Sequence, residues 1–176
     1  IQGINDEVSS VILTQVGADS FMIDRVGLVM SEDELERTRN NPRISLDDAQ
    51  AVRRFASSVS AVMAEARRSG TNGYREHILA RLRNTGVTSE FIRFPTFDAE
   101  RGRLMTPSEV DRQHNVAVLG WDAAERLFGE ADPLDRNIRI EGVHFRVIGV
   151  SQKKGAVFGQ SQDEYAVIPL GAFQRL

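Results

Sequence analysis

The segment Arg136–Val150 limits the fold more tightly than any other part of this chain. Two alternating runs flank Glu141-Gly142, and a glycine-containing pair between such runs is a hairpin signal. Ile138, Ile140, Val143, Phe145 and Val147 can form its buried face, with Asn137, Arg139, His144 and Arg146 on the other. A hairpin with one apolar face belongs to a packed sheet, because that face has to be covered by a second layer.

The remaining elements are short. Asn115–Gly120 is a continuous apolar run and reads as a buried strand, and Tyr165–Ile168 reads as a last strand. Ser58–Arg68 and Glu76–Asn84 alternate, with Ser69-Gly70-Thr71-Asn72-Gly73 between them as a turn. Ile78, Ala80 and Leu82 share one side of the second of these. Asp19–Val26 alternates through Phe21, Met22 and Ile23 and predicts a further strand. Apolar spacing predicts helices over Ile4–Val16, closed by Gly17, and over Trp121–Phe128, closed by Gly129. Ser45 or Asp47 can cap a helix whose shared face is Ala49, Val52, Phe55 and Ala56. Thr106-Pro107-Ser108-Glu109 is a capping box with proline in the first turn. Thr88 opens a short helix carrying Phe91, Ile92 and Phe94, which Pro95 ends. Gly27–Asn41 reads as a loop with a helical turn at Glu32–Thr38, and Lys153–Glu164 as a polar loop. The fold class is α+β.

Composition closes several functional routes. The net charge is −3, so the chain lacks the basic field that nucleic acid requires. There is no cysteine, which removes disulfides, thiolate metal sites and thiol nucleophiles together. His77, His114 and His144 show no metal-ligand spacing, and no Gly-x-Ser-x-Gly elbow occurs. The acidic groups, Asp6-Glu7, Glu32-Asp33-Glu34, Asp47-Asp48 and Asp163-Glu164, fall at helix starts or in loops. Lys153-Lys154-Gly155 does not have the order of a phosphate loop. No catalytic residue, metal or cofactor is expected. The 153–164 loop instead offers Lys153, Lys154 and Phe158 as a candidate partner contact. No run of apolar residues is long enough to span a membrane. The uncapped start at Ile1 and the abrupt end after Phe173-Gln174-Arg175-Leu176 are expected to be cuts in a longer chain.

From Gly102 onward the sequence resembles the extracytoplasmic (periplasmic) core domain of MacB-type ABC transporter permeases. The resemblance is carried by Gly102–Glu109, Val116–Gly120, Leu127-Phe128-Gly129, Asp132-Pro133-Leu134, Asn137–Val150 and Tyr165–Leu170, in the family's order and spacing. Val16-Gly17-Ala18-Asp19 matches more loosely. Asp135 stands where the family usually has glycine, and Leu104-Met105 replaces a usual aromatic pair. The resemblance implies a two-lobed fold, a porter-like α/β unit and a β-rich lobe with short helices. The lobes are expected at 1–87 and 88–165, with 166–176 returning to the first. It further implies a non-enzymatic domain of an inner-membrane permease, relaying ATP-driven movement to substrate or partner proteins. The alternative is a ligand- or adaptor-binding module. The implied partners are a cytoplasmic ATPase subunit or domain, a second permease copy and a periplasmic adaptor protein. The transmembrane segments would flank this chain.

Overall fold

The computed structural model describes residues 19–25, 31–94, 96–157 and 159–176. The expected opening helix over Ile4–Val16, its Gly17 cap, Val26, Pro95 and Phe158 lie outside the described residues. The chain divides into two compact units, 1–62 and 63–176.

In the first unit, α1 spans Glu32–Arg39 and α2 spans Leu46–Phe55. The cap of α2 is Ser45, not Asp47. Its Oγ accepts the Asp48 N–H, and the Asp48 carboxylate accepts the Ser45 N–H at 2.7 Å. Asp47 and Asp48 in the first turn and Arg53 and Arg54 in the last oppose the helix dipole. Arg25 donates to the carbonyls of Arg39 and Asn41, and Asn41 donates back to the Arg25 carbonyl. The strand expected at Asp19–Val26 is absent from its described part, where residues 20–24 take no regular structure. Alternation alone makes no strand, since the backbone groups must also find a neighbouring ladder.

The second unit is built on strands. β1 is Glu65–Tyr74, β2 His77–Val87, β3 Arg101–Gly102, β4 Val116–Leu119, β5 Asn137–Ile140, β6 Val143–Val150, β7 Ala156–Val157, β8 Gln160–Ser161 and β9 Tyr165–Pro169. The helices are α3 (Pro107–Asp111), α4 (Trp121–Phe128) and α5 (Leu170–Phe173), with a 3₁₀ turn at Ser89–Arg93. The main sheet runs β3-β6-β4-β9-β2-β1-β5, and β5 pairs back to β6. The strands β6, β4, β9, β2, β1 and β5 therefore close into a ring, which leaves none of them with a wholly free edge. β3 lies in line with β5 along β6, pairing at Gly149 and Val150 where β5 has ended.

Each face of the ring has its own core. Leu79, Leu82, Leu119, Ile138, Ile140, Phe145, Val147 and Ile168 pack together with Ala123, Ala124, Leu127 and Phe128 of α4. On the opposite faces of β4 and β9, Val116, Val118, Tyr165 and Val167 pack with Phe91, Met105 and Val110. Both faces of β4 and β9 are thus covered, which is why their sequences are apolar without alternation. The mixed α and β class, with a dominant sheet and short helices, agrees with the expectation.

The β5–β6 hairpin, the Thr106 capping box, β4, α4 and β9 form where the sequence places them. Glu141 (φ +48°) and Gly142 (φ +84°) make a type I′ turn, whose twist suits a two-residue hairpin. Val143 is an exception on the hairpin's apolar side, since it stays 36% exposed at the turn.

The β1–β2 hairpin departs most from expectation. β1 starts later than Ser58 and runs straight through Ser69–Gly73, and the chain turns at Arg75-Glu76 instead. A bulge sets Ala80-Arg81 opposite Thr71 and switches the phase of β2. Leu79 and Leu82 both turn inward as a result, while Ile78 is 61% exposed. Register follows whichever pairing fills the core, and here two asparagines help to select it. Asn72 and Asn84 are buried and exchange amide hydrogen bonds of 2.8 and 3.0 Å.

Candidate partner-contact site

The polar segment Lys153–Glu164 is a small antiparallel ribbon, β7 and β8, with Ala156 opposite Ser161 and Val157 opposite Gln160. This corrects the expectation of a plain loop. Its base is held by Asp163, a fully buried carboxylate. Asp163 Oδ1 and Oδ2 accept the Lys154 N–H at 3.0 and 2.9 Å, and Oδ2 accepts the Gly155 N–H at 2.7 Å. Consecutive N–H groups ending in a left-handed glycine (Gly155, φ +86°) make a concave nest for an anion. Here the nest is filled by the chain's own carboxylate. The Gln162 N–H donates to the Gly155 carbonyl at 2.9 Å and closes the ribbon's neck.

The same residues tie the ribbon to α4. The cap of that helix is Gly120, which has no side chain with which to satisfy the first turn. The Asp163 carbonyl accepts the Ala123 N–H at 3.3 Å in its place. Ser161 Oγ donates to Asp122 Oδ2 at 2.5 Å and accepts the Asp163 N–H at 2.9 Å. Glycine is required at 120, because a Cβ there would lie 2.2 Å from the Asp163 carbonyl oxygen. Beneath the ribbon, the buried Tyr165 hydroxyl donates to Ser151 Oγ at 2.8 Å, and burial raises its pKa above the ordinary tyrosine value.

Of the three candidate contact residues, Lys153 lies at the ribbon's base with its side chain exposed, 3.9 Å from Asp122. Lys154 is committed elsewhere. Its Nζ donates to the Thr96 carbonyl at 2.6 Å, and desolvation lowers its pKa despite the opposing pull of Asp163. Phe158 lies outside the described residues. The structure therefore brings Lys153 and Lys154 to one neck and gives them different surroundings. Sequence reasoning missed Asp163, Ser161 and Asp122. The available signal was a serine two residues before an aspartate, a spacing that closes small turns through the hydroxyl.

A shallow open cavity of about 270 Å³ lies elsewhere, lined by Gly102, Arg103, Leu134, Asp135, Arg146 and Ile148. Both guanidiniums there are already paired. Arg146 meets Asp135 at 3.1 Å, and Arg103 grips Glu109 through two bonds of 2.7 and 2.8 Å. Arg103 and the Thr106 cap hold the Glu109 carboxyl down at about 2. Among the described residues no group of three or more His, Cys, Asp or Glu could hold a metal ion. Nor is any helix among them long and apolar enough to cross a membrane.

The family model for the MacB-like periplasmic core domain matches residues 1–176. The chain is 30% identical over 96% of its length to the macrolide export ATP-binding/permease protein MacB of Bdellovibrio bacteriovorus, covering 25% of that protein. It is 36% identical over 73% of its length to the protein of the same name from Rhodospirillum rubrum, covering 20% of it. The chain thus spans a quarter or less of the length of these relatives. Among solved structures, the periplasmic region of MacB from Actinobacillus actinomycetemcomitans aligns with a TM-score of 0.67 at 21% identity. The alignment covers 80% of this chain and 61% of that one. The extracellular domain of the ABC-type transporter YknZ from Gram-positive bacteria aligns at 0.65 and 24% identity, covering 82% and 71%. Those two likenesses establish the fold, while the match along the whole chain establishes the family: this chain belongs to the MacB-like periplasmic core domains.

Proposed function

We propose that this domain is the extracytoplasmic part of an ABC transporter permease, and that it relays ATP-driven movement to substrate or partner proteins. The observation that carries the reading is the closed ring of the second unit. A relay must move without deforming, and a ring with a core on each face transmits displacement better than an open sheet would. In this reading ATP is hydrolysed by a cytoplasmic subunit or fused domain, and two permease copies move against each other. The domain carries no catalytic residue of its own.

The test uses the complete transporter in a membrane. These 176 residues have no cysteine, so in a transporter cleared of cysteines elsewhere Arg139→Cys, on the exposed side of β5, accepts a single spin label per copy. The distance between labels on the two copies should shift between the nucleotide-free and ATP-bound states. A distance distribution unchanged by nucleotide refutes the relay.

The ribbon supports a second role within the same machine, contact with a periplasmic adaptor protein through Lys153 and Phe158, while Lys154 serves the neck through its bond to Thr96. Its support is a defined base with an exposed lysine. Phe158→Ala in the complete transporter should weaken adaptor capture, and undiminished capture counts against the contact.

A further inference from the structure

We propose that Asp163 is a latch that makes the ribbon a stiff extension of the ring, so that a load on the ribbon reaches the core through α4. This inference rests on the relay reading above, and it names the internal route of the relay.

The strands β7 and β8 are very short. Each is a two-residue strand, and a two-stranded ribbon is at best marginally ordered by itself. Something outside the ladder must hold it. The Asp163 carboxylate fixes one leg through the Lys154 and Gly155 N–H groups. Ser161, on the other leg, is bound to Asp122 in the first turn of α4. The Asp163 carbonyl binds the Ala123 N–H one residue further along. Both legs are thus tied through residues 161–163 to one end of a helix. That helix buries Ala123, Ala124, Leu127 and Phe128 in the ring's core. Lys154 adds a second tie, from its ammonium to the Thr96 carbonyl. The Asp163 carboxylate is fully buried while its donors are only partly covered, and hydrogen bonds to a carboxylate are stronger than those between neutral groups.

Two backbone N–H groups make three contacts with the Asp163 oxygens, the Lys154 N–H reaching both, so an amide there sets donor against donor whichever way it lies. Asp163→Asn therefore releases the neck while changing volume little. Asp163→Glu keeps the charge but displaces it by one methylene. Ser161→Ala removes the link to Asp122 and the acceptor for the Asp163 N–H, and leaves the carboxylate nest in place.

The experiment places spin labels at Ala156→Cys on the ribbon and Arg139→Cys on the ring of the 176-residue chain, without nucleotide or partner. The parent should give one narrow distance. Asp163→Asn should lose it in favour of a broad distribution, Asp163→Glu should fall between, and Ser161→Ala should broaden it least. A control pair at Arg139→Cys and Arg81→Cys, both on the ring, should stay narrow in every variant that melts cooperatively. A broad ribbon distance in the parent overturns the latch whatever the variants do. So does a narrow distance that survives Asp163→Asn. Neither outcome depends on the two copies moving with ATP, so the latch and the relay fail separately.

Discussion

Two helices of similar length show what stabilises each half of this molecule. α2, in the first unit, has every local advantage: a complete capping box, acidic residues at its start and arginines at its end. None of its residues is buried. α4, in the second unit, has glycine at its cap and no side-chain cap bond, yet it buries half of its residues. Among the described residues every buried apolar side chain lies between Leu79 and Ala172. Phe21, Ile23, Ile44, Leu46 and Phe55, all in the first unit, are exposed. Capping selects where a helix starts and contributes about 1 kcal/mol, whereas a buried face contributes several. The second unit should therefore carry the measurable folding transition, and the first should respond mainly to its local signals.

The strongest test of this contrast is Phe145→Ala. Phe145 is 1% exposed within the ring, and its removal should lower the stability of the second unit by about 4 kcal/mol in chemical denaturation. A loss below about 1 kcal/mol would mean that the ring's interior is not its main support. Gly120→Ala follows, at about 3 kcal/mol, because the obstruction is the Asp163 carbonyl, a backbone atom that cannot swing aside. Its melting curve should also report loosening at the ribbon, read from a label at position 156.

Glu109→Gln should cost about 2 kcal/mol near neutral pH, after allowing for the half-exposed Arg103 partner. The folded value near 2 lies below the ordinary 4.5, so the contribution is complete above pH 4.5 and disappears as pH falls toward 2. Melting temperatures of parent and variant should converge over that window, and a constant gap would assign the effect to packing instead. Ser45→Ala should cost about 1 kcal/mol and act locally. Amide exchange in α2 should accelerate about fivefold while that of β4 and β9 is unchanged. Smallest is Phe55→Ser. Phe55 is 77% exposed, with the Arg54 guanidinium over its ring, and the second unit's midpoint should move by less than about 0.5 kcal/mol. A larger shift would show that the two units share stability.

Legibility in the sequence follows the range of the forces involved. Ser45, Thr106-Pro107, Gly129 and Glu141-Gly142 act on groups within a few residues, and each performs the role its type suggests. The runs at β4 and β9 were legible as buried because apolar side chains have few other places to go. β1 was legible only in part, since Glu65–Tyr74 has no apolar pattern and is held through Asn72 and through the room Gly70 leaves for the Glu141 carboxylate. At the candidate site, Lys153 and Lys154 look alike in sequence, and the fold gives only Lys154 a carbonyl to bind. Asp163 was one loop carboxylate among many.

The class, the hairpin at Glu141-Gly142 and the helix caps were legible in the sequence, because they depend on local periodicity and nearby hydrogen bonds, and the family resemblance was legible in its ordered motifs. Tertiary structure alone decided the closing of β5 onto both β1 and β6, the bulge that turns Leu79 and Leu82 inward, and the burial of Asp163 in its nest. The physical reason is common to all three. Each is a choice among pairings of distant segments, and their relative free energies depend on what the rest of the chain leaves to be filled or satisfied.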